Sequence, residues 1–294
     1  MRRFHLSLLA LLAGALIAVQ PAWAAPNSAS IFRRVWERQD TPVEQQVANR
    51  SWTWGQLVSP VVLGTAITRE AFADIPDGSR EVLYFDKSRM EINDPTADPN
   101  ATWYVTNGLL PIEMITGKLQ SGYNQFEDRA AANIAAIGDP GQFPTYADLR
   151  RLYQSPGAVN PSDLGKPATG FLNTDGSISG FNSYVNDPAT LLVRGENNHG
   201  VAKAFVDFMS QRGLVYDQGR YIRDQVYDPL FVFGLPVTGA YWVKVGVGGI
   251  ERPILFQVFE RRVLTYNPAN PAGWRIEMGN VGRHYFEWRY GYRP

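Results

Sequence analysis

Tyr84-Phe85-Asp86-Lys87-Ser88-Arg89-Met90-Glu91-Ile92-Asn93 and Val258-Phe259-Glu260-Arg261-Arg262-Val263-Leu264-Thr265-Tyr266-Asn267 are two versions of one phrase. Each runs Phe, acid, base, two variable positions, Met or Leu, one variable position, Ile or Tyr, Asn. A loop of turn formers follows each. Then come Trp103-Tyr104-Val105-Thr106-Asn107-Gly108-Leu109-Leu110 in the first and Trp274-Arg275-Ile276-Glu277-Met278-Gly279-Asn280-Val281 in the second. Phe85 and Phe259 lie 174 positions apart. Upstream, Phe32-x-x-Val35-Trp36 matches Phe205-x-x-Phe208-Met209 at an offset of 173. Two anchors at nearly one offset mark an internal repeat, with copies near 31–112 and 204–283. Trp54-Gly55 and Phe233-Gly234 are parallel positions ahead of each phrase.

The physics of one copy follows from its spacing. Phe205, Phe208 and Met209 stand at i, i+3 and i+4, one face of a short helix, as do Phe32, Val35 and Trp36. Gly213 is expected to stop the second helix. Ile254 to Tyr266 alternates and is rich in Phe, Val, Leu and Tyr, which predicts strand, tight turn at Arg261-Arg262, strand. Asn267-Pro268-Ala269-Asn270-Pro271 is a loop. Trp274-x-Ile276 opens a further strand that Gly279 ends. The expected fold class is therefore α+β: two copies of a helix plus antiparallel β-hairpin module, with a loop-rich middle segment. The expected divisions are 1–24, 25–112, 113–200 and 201–294. In the middle, Pro144-Thr145 precedes a helical stretch from Tyr146 to Leu152, and Asn173-Thr174-Asp175-Gly176 suits a hairpin turn. Asp139-Pro140-Gly141, Ser155-Pro156-Gly157 and Asn160-Pro161 punctuate this segment, which is either an insertion or a small domain covering the copies.

Composition excludes several classes. The 294 residues include no cysteine, so disulfide frameworks, zinc ribbons and thiol nucleophiles are ruled out. Lys and Arg number 28 and so do Asp and Glu, a balance that argues against nucleic acid as a partner. The 13% aromatic content is too high for a disordered chain.

The first residues resemble an export signal. Arg2, Arg3 and His5 precede an apolar run from Leu6 to Val19, and Ala22-Trp23-Ala24 places small residues at Ala22 and Ala24. Cleavage is expected before Ala25. The run is shorter than the ~20 residues of a spanning helix, and no later stretch approaches that length. The mature chain is thus expected to be secreted, extracellular or at the cell surface, with no transmembrane segment. A cysteine-free chain cannot mispair in an oxidising compartment.

Phe233-Gly234-Leu235-Pro236-Val237-Thr238, then Phe259-Glu260 with Leu264, Tyr266 and Pro268, then Ile276, Gly279 and Val281, resemble the LGFP-type repeats of secreted bacterial cell-envelope proteins. The first copy departs from that pattern, with Trp54-Gly55-Gln56-Leu57 where Gly-x-Pro is expected. The chain is also similar to a family of secreted proteins common in Chloroflexota. That similarity rests on Tyr84 to Lys87, Trp103 to Leu109, Pro144 to Ala147, Asn198-His199 and Phe259 to Tyr290. It carries over no activity. The LGFP resemblance implies association with cell-wall polysaccharide and with other envelope proteins.

Candidate site residues are mainly aromatic. Trp103 and Trp274 occupy matching positions, where each is either a sugar-stacking face or a packed anchor. Asp86 and Glu260 also match. They suit a glycosidase acid–base pair or, since Lys87 and Arg261 follow them, charged supports of a turn. His284 to Tyr292 alternates, which predicts a half-buried strand with His284, Phe286, Trp288, Tyr290 and Tyr292 on one face. Tyr241, Trp242, Trp274, Trp288 and Tyr290 are the expected ligand contacts. No catalytic residue, metal site or cofactor is expected. There is no His-Glu-x-x-His, Gly176-Ser177-Ile178-Ser179-Gly180 has Ile where a nucleophile elbow needs Ser, and a triad would have to use His199 or His284. The calcium-like run from Phe171 to Asn182 lacks its first and last strong ligands.

Three functional readings follow. The leading one is a secreted, non-catalytic binding or structural protein recognising cell-wall polysaccharide. The others are an Asp/Glu-dependent hydrolase of polysaccharide or peptidoglycan, and a protein-binding or inhibitor module. Mass spectrometry of the exported protein is expected to find Ala25 at its N-terminus.

Overall fold

Phe32 and Trp36 sit one turn apart on a helix that begins at an Asn27 cap, whose side chain accepts the Ser30 N–H at 2.9 Å. That helix is α1 (Ser28–Glu44), and it buries Ile31, Phe32 and Trp36. The computed structural model describes residues 27–56, 67–75, 77–154 and 163–294. The expected leader, with Ala22 and Ala24, lies outside the described residues. So do Leu57 and the turns at Ser155-Pro156-Gly157 and Asn160-Pro161.

After α1 come β1 (Thr68–Ala71), β2 (Ser79–Phe85), β3 (Ser88–Ile92) and β4 (Thr106–Asn107), an antiparallel sheet in that order. Next are α2 (Leu110–Thr116), the ribbon β5 (Lys118–Gln120) and β6 (Phe126–Asp128), and α3 (Tyr146–Gln154). The hairpin β7 (Gly170–Leu172) and β8 (Ile178–Gly180) follows, then the ribbon β9 (Leu192–Glu196) and β10 (His199–Ala202). Beyond it lie α4 (Lys203–Met209), the ribbon β11 (Arg212–Asp217) and β12 (Arg220–Gln225), and α5 (Pro229–Val232). The chain ends with β13 (Tyr241–Val247), β14 (Ile250–Val258), β15 (Val263–Tyr266), β16 (Ile276–Met278) and α6 (Val281–Tyr290). A six-stranded sheet has the order β16-β15-β14-β13-β7-β8. The fold class is α+β.

Two helix–hairpin–strand–helix units are visible. The first is α1, β2–β3, β4 and α2; the second is α4, β14–β15, β16 and α6. Both hairpins are covered on both faces. Along β2, Leu83 and Phe85 enter one core while Val82 and Tyr84 enter another. β14 divides likewise, Leu255 to the first core and Ile254 and Phe256 to the second. α1, α4 and α5 supply Phe32, Trp36, Phe205, Met209 and Val232 to the first core. α2, α3 and α6 supply Leu110, Met114, Tyr146, Leu149, Val281 and Tyr285 to the second. Each core thus draws on both units. An antiparallel sheet often leaves one face to water; here helices on each side remove it.

Several expectations are corrected. His284 to Tyr292 is not a strand. It forms most of α6, where Val281 and Tyr285 are buried four residues apart, and Gly291 ends the helix in the left-handed region at φ 80°. The alternation misled because Phe286 and Trp288 are half-buried on the helix flank, so an aromatic at every second position satisfies either period. Gly213 does not stop α4, which ends at Met209; it lies within β11. Within the middle segment, β7 and β8 extend the six-stranded sheet, since β7 pairs with β13 in parallel, Phe171 opposite Trp242. The expected division at 112 falls inside α2.

A buried charge network lies under the first sheet. Arg89 on β3 donates to Glu91 at 2.5 Å and 2.9 Å, to Glu70 on β1 at 3.2 Å and to Glu113 on α2 at 3.5 Å. Arg80 on β2 adds Glu91 at 3.2 Å and Glu70 at 3.4 Å. From α6, Arg289 reaches Glu70 at 3.2 Å, and the Tyr285 hydroxyl donates to Glu113 at 2.6 Å. Arg80 and Arg89 are fully buried, so three guanidinium groups offset the carboxylates of Glu70, Glu91 and Glu113 with little water present. Burial by itself would raise the Glu70 carboxyl; attraction from Arg89, Arg289 and Arg80 overcomes it and holds the group down at about 2. Removing one member strands its partners. Arg89→Met is expected to destabilise the fold by about 3–5 kcal/mol, read as a lower urea midpoint.

Candidate functional site

The two hairpin turns are built alike. Asp86 and Glu260 each face a glycine with positive φ, Gly55 at 123° and Gly234 at 73°. A Cβ at Gly55 would lie 3.0 Å from Asp86 Cβ, and one at Gly234 would lie 2.5 Å from Glu260 Oε2. The backbone then crosses over: Lys87 N–H donates to Trp54 O at 3.0 Å, and Arg261 N–H to Phe233 O at 3.0 Å. The carboxylates serve this geometry. Glu260 accepts the Leu235 N–H at 2.9 Å, and Asp86 accepts Arg283 Nε at 2.6 Å.

The cationic side chains that follow the acids reach across to the other unit. Lys87 Nζ donates to Met278 O on β16 at 2.7 Å and to Asn280 Oδ1 at 3.3 Å. Arg261 donates to Asn107 O on β4. Asn107 Nδ2 in turn donates to Phe231 O and Val232 O, both at 3.1 Å. On the Lys87 side of this crossing lies a cleft of about 750 Å³. Its walls come from the segment after α1 (Arg50, Trp52), the first hairpin turn (Lys87) and the β15–α6 region (Asn267, Trp274, Glu277, Asn280, His284).

Trp274 is displayed by a self-bonded loop. Asn267 Nδ2 donates to Asn270 Oδ1 at 3.1 Å, Asn270 Nδ2 to Trp274 O at 3.0 Å, and Arg275 Nε to Asn270 O at 3.2 Å. The indole is left 39% exposed. Trp52 is half-buried, its ring 6.1 Å from that of Trp36. Burial, followed by repulsion from Arg262, lowers the Lys87 ammonium to about 8. Glu277 is exposed and within electrostatic reach of Lys87. Asp139 also lines the cleft, but its oxygens accept Gly248 N–H at 3.0 Å and Gly249 N–H at 2.8 Å, closing the β13–β14 turn.

His284 forms the floor near α6. Its Nδ1 lies 3.0 Å from the buried Tyr146 hydroxyl, sharing a hydrogen bond. Burial first, then repulsion from Arg293, Lys87 and Arg283, lowers the imidazole to about 4. It is therefore neutral at pH 7 and unsuited to act as a cation there.

Of the five aromatics expected to contact ligand, the structure puts only Trp274 in this cleft. Trp242 has no exposed surface. It stacks on Tyr184 with centroids 4.7 Å apart and donates to Ala168 O at 2.8 Å. Tyr241 is half-buried beside Phe256. Trp288 donates to Ala130 O at 2.8 Å, and the Tyr290 hydroxyl donates to Glu70 at 3.1 Å, so both anchor α6. Trp103 is 49% exposed but stands near Phe231, away from the cleft. Trp52, Lys87, Asn267, Glu277 and Asn280 are cleft residues that sequence reasoning did not name as ligand contacts. No period distinguishes Trp52, and Lys87 was legible only as the base following a repeated acid.

Among the described residues, no group of three or more His, Asp or Glu could hold a metal ion. Among the same residues, no helix is long and apolar enough to cross a membrane. Comparison with family models, with curated proteins and with solved structures returned no match.

The His284 geometry has a consequence for pH. The unfolded chain binds a proton at this position near pH 6.5, the folded chain only near 4. Its contribution to stability is complete above 6.5 and is lost as pH falls through that window. His284→Gln is expected to flatten this part of the profile, measured as the wild-type-minus-variant difference in urea midpoint between pH 7 and 4.

Proposed function

We propose that the protein is an exported, non-catalytic binder of cell-wall or other extracellular polysaccharide, and that it engages a short stretch of glycan in the cleft beside Lys87. We also take the two units to be copies of one duplicated module, so the cleft lies where a copy meets its twin. The observation that carries the reading is the placement of Trp274 and Trp52 in one cleft with Asn267, Asn280, Lys87 and Glu277. Sugar rings offer apolar faces to aromatic planes and hydroxyls to amides and charges, and this lining supplies both kinds of partner. Rigid display of Trp274 by its loop lowers the entropy cost of binding.

The state of the acids favours binding over hydrolysis. Asp86 and Glu260 support separate turns, and Asp139 is occupied by backbone amides. Glu277 is left without a second free carboxylate among the described cleft residues, and a glycosidase needs two. The leader-like N-terminus supports export.

Co-sedimentation with purified cell walls and with insoluble polysaccharides at low salt tests the reading. Retention is expected, and Trp274→Ala should weaken it about tenfold, the loss of ~1.4 kcal/mol, without lowering Tm. No retention on any glycan would overturn the proposal, and release of new reducing ends would replace it with the hydrolase reading.

A further inference from the structure

A second feature lies on the other side of the hairpin crossing, in the interior. Arg262 is fully buried and its guanidinium stands 5.1 Å over the Trp54 ring. Only its Nη1 is satisfied, by Arg261 O at 3.1 Å; Nε and Nη2 are buried with no partner. Arg50 Nε is also buried with no partner, and the Tyr227 and Thr53 hydroxyls make no hydrogen bond of good geometry, although Thr53 stands close to both Asp40 and Tyr227. These groups form one cluster. Tyr227 lies within electrostatic reach of Arg50, Asp40 and Arg262, beside Thr53.

Orphaned buried polar atoms are rare, and several in one place call for something to fill them. The identity of these atoms narrows the choice. Three belong to guanidinium groups, which only donate, and the two hydroxyls can each donate as well. The carboxylate and amide acceptors nearby are already used, which leaves only the two hydroxyl oxygens. Asp40 takes the N–H groups of Thr53, Trp54 and Gly55 at 2.8, 2.8 and 3.2 Å. Gln39 O takes Arg50 Nη2 at 2.6 Å, and Gln39 Oε1 takes Trp54 Nε1 at 3.2 Å. Charge points the same way. Arg50 and Arg262 face one carboxylate, Asp40, and Arg261 and Lys87 add further repulsion to Arg262 or from it. A water would accept two of these donors but carries no charge to set against the guanidinium groups. A monatomic anion accepts from every direction and offsets the surplus charge.

We propose that this nest binds a halide ion, chloride under ordinary conditions, held by Arg262 and Arg50 with the Tyr227 and Thr53 hydroxyls. Arg50 and Thr53 belong to the first unit, Tyr227 and Arg262 to the second. The ion therefore fastens the two together from within.

The site is tested on the full chain without reference to glycan. Thermal unfolding is followed in sodium chloride, bromide, sulfate and gluconate at matched ionic strength. A saturable rise in Tm is expected with chloride and bromide and not with sulfate or gluconate. Crystals grown in bromide should show an anomalous peak between Arg262 and Tyr227. Tyr227→Phe should weaken halide affinity about tenfold, the loss of one hydrogen bond to a charged group, while Tm in gluconate stays near that of the wild type. Thr53→Val serves the same purpose should Tyr227→Phe fail to fold. Equal Tm in chloride and gluconate, water in place of bromide in the crystal, or an unchanged halide response in a folded variant would each overturn the proposal.

Discussion

Two side chains hold the molecule to one arrangement. Lys87 and Arg261 each follow the acid of a hairpin turn, and each donates to a carbonyl on the third strand of the opposite unit. Neither can do so unless the two hairpins sit turn to turn. The opposed strands β4 and β16 are short, so their carbonyls have few sheet partners and need these donors. The remaining packing follows from that approach. Gly282 at the start of α6 lies so close to the first turn that a Cβ there would fall 1.9 Å from Phe85 O. The cleft opens on the Lys87 side, and the donor nest is enclosed on the Arg262 side.

Charge burial is the cost of this design, and it is met differently in two places. Under the first sheet, Arg80, Arg89 and Arg289 interlock with Glu70, Glu91 and Glu113, while Tyr84, Tyr285 and Tyr290 add hydroxyls to the same carboxylates. Such a network gains little over an apolar core, but losing one member is expensive, so it specifies a single packing of α2 and α6 on the sheet. At the crossing there is no matching set of acids. Burial lowers Arg262 to about 9 and raises the Asp40 carboxyl to about 6, as desolvation requires of charges only partly compensated.

Much of the fold was legible from local spacing. The i, i+3, i+4 pattern of Phe32, Val35 and Trp36 and of Phe205, Phe208 and Met209 located α1 and α4. The alternation and the charged turn located β14 and β15, and Asn173-Thr174-Asp175-Gly176 located the β7–β8 turn. The last helix was not legible in the same way, because ten residues rich in half-buried aromatics fit both periods. Two signals favoured helix: Gly291 as a left-handed cap, and Leu110 to Ile115 standing at the matching place in the first unit as a clear helix. The site was less legible still. Trp242 and Trp274 are both expected ligand contacts, yet one is wrapped by Phe181 and Tyr184 and the other is held out on a loop.

By itself the sequence determined the first helix of each unit, the hairpin of the second with its charged turn, the β7–β8 turn and the absence of disulfide support, since these depend on residues within a few positions of one another. It also set the acid–base pairs at 86–87 and 260–261 at corresponding places in two similar stretches. Only the tertiary structure decided what those pairs do: each acid supports its own turn, and each base reaches into the other unit. It also decided which aromatics face solvent and which charges are sealed from it. Burial depends on what arrives from far along the chain, and no local period records that.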